Sequence, residues 1–317
     1  MELNGKRNLL ILLILLLISS CEKETKVDIS GNPTRLVVLG EFNQQDAALI
    51  NLSTSVISVP AGGFPDVQDA QVGLFDQNNT LIEKYTYQGK GNYTGKKATA
   101  GQGYQLVIDY KGKTYKAHTT IPLSFKLNLK SLDSTSLEAE IVDSHPGANA
   151  FTFELIERRY TVARYYFENE KKINVNTEAE LISQLERNPA IQIKRDTTFD
   201  SKFTRVYIST TDRRTENVRY NVLKDGSGRI YLTDKTFNGS QTTLKILFPD
   251  NTLDQENTQY SLLVKSTSAV YFDYLYSMDL QAAKAIGGTL DVPIKGNIDN
   301  ALGIWGAAYI QKVILKN

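Results

Sequence analysis

Apolar and polar residues alternate with a period of two along much of this chain, the pattern of strands that bury one face. Between residues 34 and 122 the apolar runs are short and close together, at 36–40, 49–52, 72–75, 81–87, 104–110 and 113–119, and residues 121–122 close the stretch. Turn-forming residues separate them: Asp76-Gln77-Asn78-Asn79, Gly89-Lys90-Gly91-Asn92 and the tight pair Lys111-Gly112. Strands at this spacing predict an antiparallel sandwich of immunoglobulin-like or transthyretin-like type over 34–122.

The pattern continues less regularly from 123 to 317, as a larger β-rich domain with two short helices. Strands are expected at 125–129, 137–142, 151–160, 203–209, 229–232, 241–248 and 259–265, with a turn at Asp143-Ser144-His145-Pro146-Gly147. Two stretches switch to the helical period. In a charged insertion, Thr177 and Glu180 are spaced as a capping box, and Leu181, Ile182 and Leu185 form one apolar stripe, which predicts a helix over 177–188. The second helix is expected over 267–284, with Val270, Tyr271, Tyr274, Leu275, Met278 and Ala282 on its buried face and Gly287-Gly288 as its stop. Phe272 and Tyr276 fall outside that face, so packing on both sides is the favoured reading over exposure at a partner surface. The chain ends in a strong strand signal at 305–310 and 313–315.

The first twenty residues follow a different logic. Lys6 and Arg7 precede ten unbroken apolar residues, 9–18, and then Ser19, Ser20 and Cys21. Ten residues rise about 15 Å as a helix, half of a hydrocarbon core of about 30 Å. The segment is therefore read as a secretion signal. Ile18-Ser19-Ser20-Cys21 has the form of a lipobox: an aliphatic residue, two small ones and the cysteine whose thiol takes diacylglycerol before cleavage. Two or three acyl chains make a stable anchor where one is marginal. Residues 21–33 then read as a lipidated tether. Glu22, Lys23 and Glu24 resemble the short acidic export signal of surface-exposed lipoproteins, so a chain lipid-anchored at the outer membrane on its extracellular face is the expectation.

Composition narrows the chemistry. Cys21 is the chain's one cysteine; once lipidated it leaves no thiol for a disulfide, a zinc site or a nucleophile. The chain holds 36 Lys and Arg against 35 Asp and Glu, and loss of Lys6, Arg7 and Glu2 with the signal leaves the remainder balanced. No basic stripe suggests nucleic acid. The 17 tyrosines fit half-buried strand positions. The two histidines, His118 at the end of a strand and His145 in a turn, belong to no metal-binding spacing. No nucleophile elbow is present, and the glycine-bearing segments 225–228 and 234–239 have turn chemistry rather than the ligand spacing of a calcium loop. No catalytic residue, metal ligand or cofactor is assigned.

Three stretches together resemble a known family. They are Arg35-Leu36-Val37-Val38-Leu39-Gly40-Glu41 with Ile50-Asn51-Leu52-Ser53; Val67-Gln68-Asp69-Ala70-Gln71-Val72 with Tyr93, Gly103-Tyr104-Gln105-Leu106 and Thr119-Thr120-Ile121-Pro122; and the closing segment from Gly296 to Gly306. The resemblance is to Bacteroidota lipoproteins catalogued only as a domain of unknown function, whose genes often lie beside those of TonB-dependent outer-membrane receptors. Its most specific element is Asn297, Ile298, Asn300, Gly303, Ile304, Trp305 and Gly306, where Trp305 replaces the more usual phenylalanine and Ala301 a glycine. The resemblance implies location and neighbourhood more than mechanism; together with the anchor, the acidic tether and the two-domain β architecture, that genomic company leads to the expectation of a non-catalytic accessory subunit of a TonB-dependent β-barrel, capturing or gating its substrate. The competing expectations are a structural subunit of an envelope machine for outer-membrane protein assembly, secretion or gliding, and a glycan-active hydrolase, which needs only two suitably spaced carboxylates.

Overall fold

A computed structural model describes residues 34–56, 63–147, 149–215, 228–284 and 293–316. The lipobox, Cys21 and Glu22-Lys23-Glu24 lie outside these residues, as do Gly287 and Gly288. Among the described residues the protein is mainly β, with two α-helices.

The strands of the described residues fall in three sheets. The largest runs in the order β12 (Lys171–Val175), β11 (Ala150–Glu168), β17 (Thr258–Thr267), β18 (Leu302–Lys316), β1 (Leu36–Asn43), β2 (Ala48–Thr54), β6 (Asn92–Gly95) and β5 (Thr86–Gly89). On β11 it also carries β13 (Gln192–Phe199), β14 (Thr204–Val206) and β15 (Arg229–Thr233). A four-stranded sheet, β4 (Leu81–Lys84), β3 (Gln71–Asp76), β7 (Gly103–Tyr110) and β8 (Lys113–Thr120), packs over one end of it. A three-stranded sheet, β16 (Gln241–Leu247), β10 (Ser136–Val142) and β9 (Lys126–Leu132), packs over the other. The result is two adjacent sandwiches that share one long sheet.

Alternation decides what each sandwich buries. Val38, Phe42, Ile50 and Leu52 of the long sheet meet Leu74, Leu106 and Ile108 of the four-stranded sheet. Phe151, Phe153, Leu262 and Val264 meet Leu137, Ile141, Leu244 and Ile246 of the three-stranded one. The run at 81–87, expected as one strand, divides at the buried Tyr85: β4 joins the small sheet and β5 the large one.

β18 ties the sandwiches together. Residues 302–308 pair in parallel with β1, and 308–316 pair antiparallel with β17. The sheet thereby crosses the sequence point between 122 and 123. β18 is continuous through the two segments expected at 305–310 and 313–315. Trp305 and Ala307 enter the first core, Tyr309 and Leu315 pack against the second, and Ile304, Ala308 and Ile310 face the opposite side.

On that opposite side lies α2 (Ala269–Lys284). Its buried face matches the expected one in part. Tyr271, Tyr274 and Leu275 pack against the sheet and Phe272 is buried beside them, whereas Val270, Met278 and Ala282 are exposed. Phe272 and Tyr276 pack around the Tyr231 ring, at 5.2 Å from it each, so both are packing groups.

At the far end, β11 extends past β17 and pairs with β13 and β12. These strands and α1 (Glu178–Arg187) enclose their own core of Tyr166, Leu181 and Ile191. The Thr177 hydroxyl accepts from the Glu180 N–H at 3.1 Å, and the Glu180 carboxylate accepts from the Asn176 N–H, one residue before the expected donor. Leu181 is fully buried, while Ile182 lies on the exposed side. The expected strand at 203–209 shortens to β14, with Ser209 bridging separately to Leu247.

Candidate functional site: a charged clamp and groove beneath helix α2

Alternating strand positions that do not enter the sandwich cores face α2. From β11 these are Thr152 and Glu154, from β15 Arg229 and Tyr231, from β17 Lys265, and from β1 Leu39 and Glu41. Cross-strand register aligns them: Glu154 lies opposite Arg229, and Thr152 lies between Tyr231 and Lys265.

Two clamps join this surface to the helix. In the first, the Arg229 guanidinium donates to Glu154 at 3.0 Å and to Asp279 of α2 at 2.8 Å. The Tyr231 hydroxyl donates to the same Asp279 oxygen at 2.5 Å, and Arg205 approaches Glu154 from the other side at 2.8 Å. In the second clamp, Glu41 accepts from Lys265 at 2.5 Å and from the Tyr271 hydroxyl of α2 at 2.6 Å.

Burial and pairing set the charge states. Burial alone would raise the Glu154 carboxyl, but Arg229, Lys265 and Arg205 together outweigh it and hold the group down to about 2. Burial opposes the charge on Arg229, yet Glu154 first, then Tyr231 and Asp279, push its pKa above the ordinary range. Burial raises both Tyr231 and Tyr271, and Asp279 and Glu41 add to the respective shifts. Glu154 thus stays ionised and both phenols stay protonated throughout the physiological range. The groups act as fixed donors and acceptors rather than as an acid and base near their working point.

Beside the second clamp, the shoulder between α2 and the β1–β2 pair forms a groove of about 540 Å³. Leu39 and Leu49, 43% and 50% exposed, form one wall; Tyr274 and Leu275 form the other. Glu41 and Tyr271 stand at the clamp end. An apolar cleft of this size with a few oriented polar groups has the form of a small-molecule or peptide site.

The closing motif builds the seat of this site. The Asn297 carboxamide donates to the Trp305 carbonyl and accepts from the Trp305 N–H, both at 2.9 Å. It stands in for a strand partner where β17 has not yet begun to pair with β18. The Gln44 side chain does the same further along, exchanging both bonds with Ile310 at 2.7 and 3.0 Å. Asn300 is left-handed, with φ 60°. Gly303 has φ +99°, and a Cβ there would lie 1.9 Å from the Val38 carbonyl oxygen. A Cβ on Gly306 would fall 2.2 Å from the Tyr271 ring, so that glycine admits α2 to the sheet. Trp305 is fully buried and stacks on Phe42 at 5.4 Å. Ile298 fills the first core and Ile304 the contact with α2.

The remaining candidate residues lie elsewhere. His118 is exposed on β8, its ring 3.2 Å from the Gln105 amide. His145 is half-buried in its turn, where its N–H donates to Asp143. In the 234–239 turn, Asp234 is buried and accepts from the Asn149 N–H at 2.8 Å; burial, helped by Asp143, raises its carboxyl. Residues 225–227 lie outside the described residues. Among the described residues, no group of three or more His, Cys, Asp or Glu side chains is placed to hold a metal ion, and no helix is long and apolar enough to cross a membrane.

Sequence reasoning missed the charged clamp. Glu41, Glu154, Arg229, Lys265 and Asp279 occupy the polar positions of alternating strands and a helix, which ordinarily face water. The one signal in the sequence was Arg229 and Glu154 inside runs otherwise rich in Phe, Ile and Leu.

Residues 22–312 match the family model described as Domain of unknown function (DUF4249). No curated protein matches the sequence. Among solved structures, the chain is similar to a DUF4785 family protein from Legionella pneumophila, with 12% identity and TM-score 0.23 over 73% of this chain and 51% of that one. It is also similar to the chicken CNTN1 FN1–FN3 domains, with 11% identity and TM-score 0.22 over 74% and 60%. The chain thus spans about half to three fifths of the length of these two structures.

Proposed function

The chain belongs to the DUF4249 family, and we propose that it is a non-catalytic binding lipoprotein of the outer membrane that serves a TonB-dependent β-barrel transporter. It is held at the extracellular face through lipidated Cys21 and captures or gates the transporter's substrate in the groove beside α2. The observation that carries the binding role is this groove, where exposed Leu39 and Leu49 face Tyr274 and Leu275, Glu41 is held by Lys265, and Asn43, Asp46 and Asn51 add polar groups to the lining. Ile18-Ser19-Ser20-Cys21 and Glu22-Lys23-Glu24 support the address. The genomic company of the lipoproteins that the sequence resembles supports the transporter as partner.

Affinity purification of the full chain from detergent-solubilised outer membranes, read by mass spectrometry, tests the partnership. A β-barrel receptor is expected in the wild-type eluate and is expected to be depleted for Cys21→Ala. Repeated absence of any such receptor would overturn it. Leu49→Glu in the groove is expected to impair uptake of one nutrient without lowering the amount of folded protein at the surface. Normal uptake would remove the groove from the proposal.

A further inference from the structure

The side chains lining the groove beside α2 commit their donors and leave acceptors free. Both amide hydrogens of Asn51 are taken, by the Lys90 carbonyl and the Asn92 side-chain oxygen, each at 3.0 Å. The Asn43 amide donates to Glu41 at 3.2 Å and to one Asp46 oxygen at 3.5 Å, while its own oxygen accepts from the Gln45 and Asp46 N–H groups. The Tyr271 hydroxyl donates to Glu41. What remains for a ligand is the second oxygen of Asp46, the Asn51 side-chain oxygen and the Tyr274 hydroxyl. The first two are acceptors alone, so they call for a ligand that donates.

Charge selects in the same direction. Glu41 and Asp46 are the charged residues of the lining, and no Lys or Arg joins them. Lys265 of β17 balances Glu41. Asp46 is exposed and has no such partner among the described residues; its side chain contacts the neutral Asn43 amide. Asp46 stands in the turn between β1 and β2, Leu49 and Asn51 follow on β2, and Leu39 lies opposite Asn51. The free carboxylate is therefore at one end of an apolar stretch and a neutral acceptor at the other. Tyr274 supplies an aromatic ring to the facing wall, and aromatic faces attract cations. An anionic ligand would instead meet Asp46 with no cation in the lining to offset the repulsion.

We propose that the groove takes an organic cation, an ammonium or guanidinium group on an apolar body, with the charge at Asp46 and the body lying along Leu49 towards Asn51, between Leu39 and the Tyr274 and Leu275 wall. This assignment rests on the reading of the groove as the binding site. It holds whether or not a transporter is the partner.

Amide-detected NMR of the full mature chain, titrated with hexylammonium, hexanol and hexanoate at matched ionic strength, tests it. Saturable shifts at Leu39, Leu49 and Leu275 are expected with hexylammonium, with hexanol weaker by about fivefold and hexanoate weaker still. Asp46→Asn keeps the shape of an exposed side chain and the backbone bond to Asn43, so its melting temperature should be unchanged while hexylammonium falls to the affinity of hexanol. Asp46→Lys is expected to reverse the order of hexylammonium and hexanoate. Equal binding of hexanol and hexylammonium, tighter binding of hexanoate, or an unchanged preference in both variants would overturn the cation while leaving the groove as a binding site. Saturation by none of the three probes would overturn the cation and the groove together.

Discussion

Single atoms decide how α2 meets the sheet. At Gly306, an added methyl would occupy the space of the Tyr271 ring, and that ring's hydroxyl bonds Glu41. Gly306→Ala is therefore expected to displace the helix and to cost about 1–3 kcal/mol, as overpacking does, read as a lower urea midpoint with an unchanged slope. The charged pair beneath the helix behaves differently. Arg229→Met leaves Glu154 buried with weaker compensation, and about 3–5 kcal/mol of destabilisation is expected; Glu154→Leu added to it should restore much of the loss. Glu154 also sets an acid limit. Its carboxyl is lowered from 4.5 to about 2 in the folded protein, so the native state holds fewer protons there than the unfolded chain. The resulting stability is complete above about pH 4.5 and is lost as the pH falls through about 2. Denaturant titrations from pH 6 to pH 2 should show the wild type's advantage over Glu154→Gln shrinking across that interval; a constant gap would contradict this account.

At the scale of elements, the outlying unit of β12, α1, β13 and the end of β11 is the part most separable from the rest. Its apolar residues, Tyr166, Leu181 and Ile191, form a cluster distinct from both sandwich cores. Leu181→Ala is expected to cost about 2–5 kcal/mol, confined to this unit. Hydrogen exchange should show lost protection in β12, α1 and β13 while β17 and β18 keep theirs. The same elements show what sequence makes legible and what it does not. Helix α1 could be read because its signals are local: Thr177, Glu180 and Leu181 lie within five positions. The sandwich strands could be read for the same reason, as Tyr115, Ala117 and Thr119 of β8 are buried in alternation while their neighbours are exposed. The buried face of α2 could be read only in part: Tyr271, Tyr274 and Leu275 pack as expected, but the burial of Phe272 depends on Tyr231, brought beneath the helix by the pairing of β15 with the distant β11. Asn297 was visible as a motif residue, but its role as a surrogate strand partner exists only once β18 is threaded beside β1.

That threading governs the molecule as a whole. β1 and β18 lie at opposite ends of the described chain, yet Val37 pairs with Leu302 and Asn43 with Ala308. The first sandwich takes Trp305 from β18, stacked on Phe42, so residues 34–122 alone would leave that face of their core open. Burying a large aromatic side chain contributes about 1.5–3 kcal/mol or more, a substantial part of a small domain's total stability of about 5–15 kcal/mol. The isolated fragment 34–122 is therefore expected to give a poorly dispersed NMR spectrum. Adding a peptide of residues 293–317 should restore dispersion, because it supplies Asn297, Ile298 and the whole of β18. A fragment that folded cooperatively by itself would show that β18 merely decorates a finished sandwich. If the prediction holds, folding of the first ninety residues after the tether waits for the last twenty, a long loop closure that slows acquisition of the native state. The helix α2 and its groove would then form only when both ends of the chain are in place.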